Sequence, residues 1–171
     1  MAVMQDDIGV IADMRLQRHR DDAAKLDKTA YAVANPVEAG LARPKVKQAD
    51  FIGKAAYLKM REEEPAATLC TLTVDDNSSS SGEPRYMLGS EPVLTTGGEA
   101  IIDRKGRRSY VTSAGSGPSV GKHLLLSYLP PDYARVGTKL LVEYLGEQYP
   151  VSVAVAGSTP LFDPNNERMK G

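Results

Sequence analysis

Short apolar runs, each separated from the next by turn-forming residues, fill the stretch between residues 66 and 157. The runs are rich in Val, Leu and Thr, and β-branched residues favour strands. Their spacing predicts strands over 69–74, 92–95, 100–103, 108–113, 122–129, 139–145 and 148–155. Gly146 and Glu147 form the clearest two-residue turn signal. Many short strands at close spacing predict a small antiparallel barrel or sandwich that carries the core of the chain.

The stretch 111–130 is predicted to be a β-hairpin with a long loop of small residues over 112–121. Lys122 follows the glycines of this loop, but the register of a P-loop is absent, and His123 stands where that motif has Ser or Thr. The spacing also departs from the dinucleotide-binding fingerprint. We therefore interpret the loop as a strand connection in which small residues let backbone segments approach closely.

Two helices are predicted before the strands. Apolar residues at helical spacing predict the first over about residues 5–20, with acidic residues near its start and basic residues near its end. Asp50 is predicted to cap the second, with Phe51 and Ile52 in its first turn and Pro65 after its end. The predicted fold class is α+β, with two N-terminal helices followed by a small antiparallel Greek-key-like β-barrel.

The composition excludes several classes of protein. The net charge is −1, whereas a general nucleic-acid binder would show a basic excess. One cysteine cannot form a disulfide or a thiolate metal cluster within one chain, and two histidines leave little for a zinc or iron site. No run approaches the roughly 18 apolar residues of a membrane helix, and no signal peptide is recognisable. We therefore expect a soluble, cytoplasmic protein that binds neither nucleic acid nor membrane.

The residues by themselves predict no self-sufficient active site. Three serines of the 112–121 loop lie near His123 in the sequence, but such proximity is expected in any serine-rich loop. The sequence contains no nucleophile elbow. Cys70 lies between apolar residues, which predicts a buried, inert thiol. The basic run at 15–20 has two interpretations, a site for an anion such as a carboxylate tail, or charges that stabilise a helix C-terminus.

A series of short motifs runs in order over about residues 12–171. They are MRLQ at 14–17, NPVEAGL at 35–41, DFIGK at 50–54, LTVDD at 72–76, EPV at 91–93, VTSA at 111–114, YLP at 128–130 and PLFDP at 160–164. In this order they resemble the C-terminal part of the glycine cleavage T-protein (aminomethyltransferase) superfamily, and in particular the tail of dimethylglycine oxidase, dimethylglycine dehydrogenase and sarcosine dehydrogenase. Each motif alone is weak, so the ordered series carries the resemblance.

This resemblance implies a fold and a reaction. Members of the superfamily bind tetrahydrofolate in a central channel between three subdomains, and their C-terminal subdomain is a small β-barrel. A one-carbon unit from glycine, or from an N-methylated amine oxidised by a flavin domain, leaves as 5,10-methylenetetrahydrofolate. The resemblance therefore implies that residues 1–50 are the edge of a folate-binding subdomain, with the first helix and a connection. It implies that residues 51–171 are a helix plus the C-terminal barrel domain.

The resemblance also implies contacts to tetrahydrofolate. Gln17 stands where the family has a folate-contacting Glu, Lys45 and Lys47 lie about where a family Arg contacts the folate tail, and Arg168 falls near another family contact. A neutral amide both donates to and accepts from a pterin edge, and a lysine supplies charge without a bidentate fork. The catalytic Asp of the family and the FAD are expected on a partner flavoprotein subunit or in a missing N-terminal region. No catalytic or metal-binding residue is therefore assigned in this chain.

Three hypotheses for the function follow. In the first, the chain is a subunit or C-terminal domain of a folate-linked, flavin-dependent N-demethylating enzyme, which completes the tetrahydrofolate channel but is not catalytic alone. In the second, the chain is a structural or interaction module that no longer binds folate, in line with Gln17 and the basic residues that follow it. In the third, which the length of the chain disfavours, it is an independent aminomethyltransferase.

Overall fold

The computed structural model describes residues 35–42, 45–157, 159–168 and 170. The helix α1 spans Lys54–Glu62, and the strands are β1 Thr68–Val74, β2 Val93–Leu94, β3 Val111–Gly117, β4 Lys122–Leu129, β5 Lys139–Tyr144 and β6 Glu147–Ala156. In this part of the chain, no helix is long and apolar enough to cross a membrane. The predicted helix over 5–20 lies outside the described residues, which contain only the second predicted helix. The predicted division of the chain at residue 50 stays a prediction.

The six strands form one antiparallel sheet in the order β2-β5-β6-β1-β4-β3. Backbone hydrogen bonds also link the two edges of this sheet, because the amide of Val111 donates to the carbonyl of Glu91 at 2.7 Å and that of Val93 donates to Ser109 at 3.1 Å. The sheet therefore curls into a small half-barrel. β1 lies between β4 and β6, so the order is Greek-key-like rather than sequential. The prediction of a small antiparallel β structure is confirmed, in the form of a half-barrel rather than a closed barrel.

The core lies inside the half-barrel and follows the two-residue period of the strands. Leu72, Leu125 and Val151 are fully buried, while their neighbours in the chain point outward. Burying one such side chain contributes roughly 1.5–3 kcal/mol to folding. Because the chain has no Trp and only two Phe residues, Leu, Val, Met and Tyr fill this core.

The second predicted helix is confirmed, but its predicted start is wrong. α1 begins at Lys54, directly after Gly53. The φ of Gly53 is 85°, in the left-handed region, which glycine adopts at little energetic cost because it has no Cβ. Asp50 does not cap the helix, and its Oδ1 accepts a hydrogen bond from the amide of Phe51 at 3.1 Å. Phe51 and Ile52 precede the helix in a turn. No residue of α1 is buried, and a nine-residue helix with so little packing is only marginally stable by itself.

The predicted loop over 112–121 is much shorter than expected. β3 continues to Gly117 because its backbone pairs with β4, and only residues 118–121 form the turn. Small residues have a low preference for strands, but pairing with β4 stabilises the strand conformation here.

Two further predictions about strands and turns are corrected. The segment 100–103 forms no strand, and contributes only isolated bridges between Leu94 and Ala100 and between Ile102 and Arg108. The turn between β5 and β6 consists of Leu145 and Gly146, one residue earlier than predicted. Both have positive φ, 53° and 82°, as a type I′ turn requires.

Candidate functional site

A groove of about 450 Å³ lies on the outer face of β1, β3 and β4. Leu124 and Leu126 form its apolar floor, and the C-terminal segment lines it with Leu161 and Phe162. Hydroxyl groups reach it from the strand that carries the VTSA motif, at Ser113 and Ser116, and from Thr71 of β1. The groove therefore combines an apolar surface with a few polar groups, and it is largely open to solvent.

The small residues of β3 allow this groove to form. Ala114 and Gly115 pair with Leu125 and Leu124 of β4, and they leave room above the long side chains of that strand. At Gly117 a Cβ would lie 2.8 Å from Cδ1 of Leu124, so any larger residue there would have to shift the Leu124 side chain. Gly117 thus permits close packing of a side chain rather than the predicted approach of backbone segments, and nothing lies within 4 Å of a Cβ at Gly115 or Gly121.

The C-terminal segment holds Arg168 beside the groove. The guanidinium of Arg168 lies 4.9 Å from the centroid of the Phe162 ring, in a cation–π contact. The carboxylate of Asp163 accepts hydrogen bonds from the amides of Glu167 at 2.8 Å and Arg168 at 3.2 Å. These bonds fold the segment back on itself. An exposed cation thus stands next to an aromatic ring that lines the groove.

The four residues implied as folate contacts are not all brought together. Arg168 lies beside the groove through Phe162. Lys45 and Lys47 are exposed and do not line the groove. Gln17 lies outside the described residues. The role of each in binding stays a prediction.

A buried ion-pair cluster connects the NPVEAGL motif to the barrel. The carboxylate of Glu38 is fully buried, and Arg107 donates to it from Nη1 at 3.0 Å and from Nη2 at 2.8 Å. Lys105 Nζ lies 3.2 Å from the same carboxylate. Asp103 accepts from Nε of Arg107 at 2.6 Å. Two carboxylates and two cations therefore neutralise one another, which is the condition for burying charge.

Sequence reasoning missed this cluster. In the sequence, Glu38 stands out only as a member of the NPVEAGL motif. Its partner Arg107 lies 69 residues away. A glutamate among apolar and small residues is the one local signal, because a charge in such surroundings needs a partner. Nothing in the sequence identifies which of the many cations that partner is.

The Glu38 carboxylate stays ionised at any physiological pH. Burial acts to raise its pKa, but hydrogen bonds from Arg107 and Lys105 outweigh burial and lower the pKa from 4.5 to about 2. The hydrogen bond to Glu38 likewise raises the pKa of Arg107. A carboxylate held in this way cannot exchange protons near neutral pH, so the cluster serves as a structural joint and not as an acid or base.

His123 and Cys70 lie in surroundings that do not suit nucleophilic catalysis. Nε2 of His123 lies 3.0 Å from the carbonyl oxygen of Met87, and the ring of Tyr86 packs edge-on against it with centroids 5.3 Å apart. Among the described residues, no serine hydroxyl bonds to His123. Cys70 is fully buried, and burial raises the pKa of its thiol to about 11. The predicted inert thiol is thus confirmed.

Comparison with known proteins agrees with this architecture. Residues 86–163 match the family described as the glycine cleavage T-protein C-terminal barrel domain. The chain is 31% identical over 140 residues to the mitochondrial dimethylglycine dehydrogenase of Mus musculus, a match covering 80% of this chain and 14% of that protein. It is 30% identical over 136 residues to an aminomethyltransferase of Symbiobacterium thermophilum, a match covering 78% of this chain and 32% of that protein.

A solved structure shares the fold. The glycine cleavage system aminomethyltransferase T from Bartonella henselae superposes with a TM-score of 0.56 at 23% identity, over 77% of this chain and 33% of that one. The chain therefore spans 14% to 33% of the length of these relatives. The resemblance seen in the ordered motifs is confirmed. The chain carries an aminomethyltransferase-type C-terminal barrel domain related to that of dimethylglycine dehydrogenase.

Proposed function

We propose that the chain is a subunit or C-terminal domain of a folate-linked, flavin-dependent N-demethylating enzyme of the dimethylglycine or sarcosine type. In this role it completes the tetrahydrofolate channel and does not catalyse alone. One observation carries the proposal. The β3–β4 hairpin, which contains the VTSA motif, lines a groove, and Arg168 stands beside that groove.

The chemistry of the groove suits part of a folate. Its apolar floor at Leu124 and Leu126 offers a surface for a flat ring, and hydroxyl groups orient such a ring. Arg168 offers a guanidinium to a carboxylate of the folate tail, and charge-assisted bonds of this kind are among the strongest hydrogen bonds in proteins. Lys45 and Lys47 add charge on the preceding segment.

The remaining chemistry is assigned to a partner or to a further region of the enzyme. FAD there would oxidise the N-methylated amine, and the catalytic carboxylate of the superfamily would lie there as well. The chain described here contributes one wall of the space in which tetrahydrofolate accepts the one-carbon unit.

Titration with tetrahydrofolate tests this proposal. The ligand is added to the chain alone and to the chain together with a flavoprotein subunit of the dimethylglycine type, and affinity is measured by calorimetry. We expect tighter binding with the partner, and we expect Arg168→Met to weaken it by about tenfold, the value of one charge-assisted hydrogen bond. Lys170→Met, a change to an exposed cation of the same segment, is the control and should have little effect. Absence of folate binding with and without the partner would refute the proposal.

A second candidate function is an assembly module that no longer binds folate. It is favoured by the position of Lys45 and Lys47, which do not line the groove. It predicts that the complex assembles through this chain while Gln17→Ala and Arg168→Met leave turnover unchanged. A large loss of turnover with assembly intact would exclude it. Transfer of a one-carbon unit by the purified chain alone would instead establish an independent aminomethyltransferase.

A further inference from the structure

We propose that the 103–107 turn of the barrel positions the segment 38–64, and with it Lys45 and Lys47, by binding both ends of that segment. Arg107 and Lys105 bind Glu38 at one end, and Arg104 binds Glu64 at the other. The part of this inference that concerns Lys45 and Lys47 as ligand contacts rests on the proposed function. Arg107 is thus assigned as a positioning residue and not as a catalytic one.

The contact at Glu38 is the stronger of the two. Arg107 makes a bidentate pair with a carboxylate that is fully buried, so water does not compete for it. The backbone contributes as well, because the amide of Leu69 in β1 donates to the carbonyl of Glu38 at 2.8 Å. Side chain and main chain of one residue are therefore fixed to the barrel.

The contact at Glu64 lies just beyond the C-terminus of α1. Nη2 of Arg104 donates to the carbonyl oxygen of Glu64, and Nη1 lies 3.7 Å from its carboxylate. Both side chains are at least half exposed, so this ion pair is weaker than the buried one. It nevertheless fixes where the segment returns to the barrel before β1 begins.

The 103–107 turn is itself preorganised. Oδ1 of Asp103 accepts the amides of Lys105 at 2.8 Å and Arg107 at 3.0 Å, and the carbonyl of Asp103 accepts the amide of Gly106 at 2.9 Å. Gly106 has φ of 78°, which closes the turn without strain. The three cations therefore project from a rigid base, and little ordering entropy is lost when they bind the segment.

Packing does not fix the segment between these two contacts. Of its described residues from Leu41 to Glu64, none is buried, and Ile52 is fully exposed. A chain with so little burial opens easily unless its ends are held. Lys45 and Lys47 lie inside this stretch, so their position relative to the barrel depends on the 103–107 turn. Restricting the positions that Lys45 and Lys47 can reach raises the effective concentration of their charges at one part of the barrel surface.

Conservative variants of the buried pair test the inference in the full chain. Arg107→Lys keeps the charge but loses the fork, and Glu38→Gln keeps the shape but loses the charge. Under native conditions we expect each to speed cleavage by a lysine-specific protease after Lys45 and Lys47 by about tenfold, because local opening becomes more frequent. Arg108→Lys, the same change at the neighbouring exposed arginine, is the matched control and should leave cleavage after Lys45 and Lys47 unchanged, with cleavage at each site followed separately by the masses of the fragments.

A second control separates positioning from loss of stability. Val151→Ala opens a cavity in β6 and lowers Tm, yet it should leave the cleavage rate at both lysines unchanged at temperatures well below Tm. Equal cleavage rates in wild type, Arg107→Lys and Glu38→Gln would overturn the inference, and so would faster cleavage in Val151→Ala to the same extent.

Tetrahydrofolate affinity, measured with the flavoprotein partner present, separates the inference from the proposed function. We expect Arg107→Lys and Glu38→Gln to weaken binding by about tenfold, with no further loss in the double variant because both act on one contact. Faster cleavage with unchanged affinity would overturn the assignment of Lys45 and Lys47 as positioned ligand contacts. If wild type binds no folate at all, the proposed function fails, and the cleavage rates still decide whether the turn holds the segment.

Discussion

Arg107 donates two parallel hydrogen bonds to the buried carboxylate of Glu38, at 3.0 Å and 2.8 Å, across 69 residues of sequence. The pair joins the NPVEAGL motif, which precedes the barrel, to a turn within the barrel. A buried ion pair is costly to break from one side, because the remaining charge stays buried without a partner. Removing either partner of this pair would therefore leave a charge buried at the connection to the barrel.

Removing one partner of this pair should be strongly destabilising. We expect Arg107→Ala to lower the free energy of unfolding by about 3–5 kcal/mol, as for other buried pairs, measured by urea denaturation. Arg108→Ala is the control, and its side chain is exposed, so its effect should stay within about 0.5 kcal/mol. The double variant Glu38→Met with Arg107→Met should recover part of the loss, since it removes both charges of this pair but leaves Asp103 without its bond from Arg107. A loss of less than 1 kcal/mol in Arg107→Ala would contradict the buried geometry.

The stability contributed by Glu38 should disappear in acid. Its pKa is lowered in the folded protein from 4.5 to about 2, so the unfolded chain takes up the proton first as pH falls. The contribution is thus complete above pH 4.5 and is lost as the pH falls towards 2. Linkage gives about 3 kcal/mol in total, of which about 2 kcal/mol should be gone by pH 3.

Wild type and Glu38→Gln are compared at pH 7 and pH 3 to isolate this effect. Other carboxylates with lowered pKa, such as Asp75, titrate in both proteins and cancel. The free energy of unfolding of the variant should therefore depend less on pH. Parallel pH profiles would show that Glu38 is not held as described.

A Cβ at Gly117 should disturb the groove floor. It would lie 2.8 Å from Cδ1 of Leu124, so Gly117→Ala must shift that side chain and should cost about 1 kcal/mol. Gly115→Ala is the matched control, because nothing lies within 4 Å of a Cβ at that position. Thermal unfolding of both variants checks this, and equal Tm values would contradict it.

The β5–β6 turn contains a residue that fits its conformation poorly. Leu145 has φ of 53°, which a leucine rarely adopts and asparagine adopts readily in a type I′ turn. We expect Leu145→Asn to raise the free energy of unfolding by about 0.5–1 kcal/mol, partly offset by the apolar surface it exposes. Gly146→Ala, at φ of 82°, should lower it by a similar amount. Urea titrations measure both, and a destabilised Leu145→Asn would show that burial of Leu145 outweighs the turn.

Local signals predicted the strands best where apolar residues alternate. The predicted span 122–129 coincides with β4, β1 and β5 differ from their predictions by one residue at one end, and β6 is one residue longer than predicted at each end. Where the signal depended on small or turn-forming residues, tertiary pairing decided. The run of Ser and Gly in β3 becomes a strand because β4 satisfies its backbone hydrogen bonds, whereas 100–103 finds no continuous partner.

The sequence by itself determined the type of domain, because ordered motifs and a two-residue apolar period are local properties of the chain. The resemblance carried by those motifs also pointed to Arg168 as a folate contact, which stays a prediction. Only the tertiary structure decided that Phe162 carries Arg168 to that groove, and that Arg107 is the cation that neutralises Glu38. The sequence contains many arginines and lysines that could make either contact. Which of them does so depends on distances that arise only when the sheet curls and excludes water from the buried carboxylate.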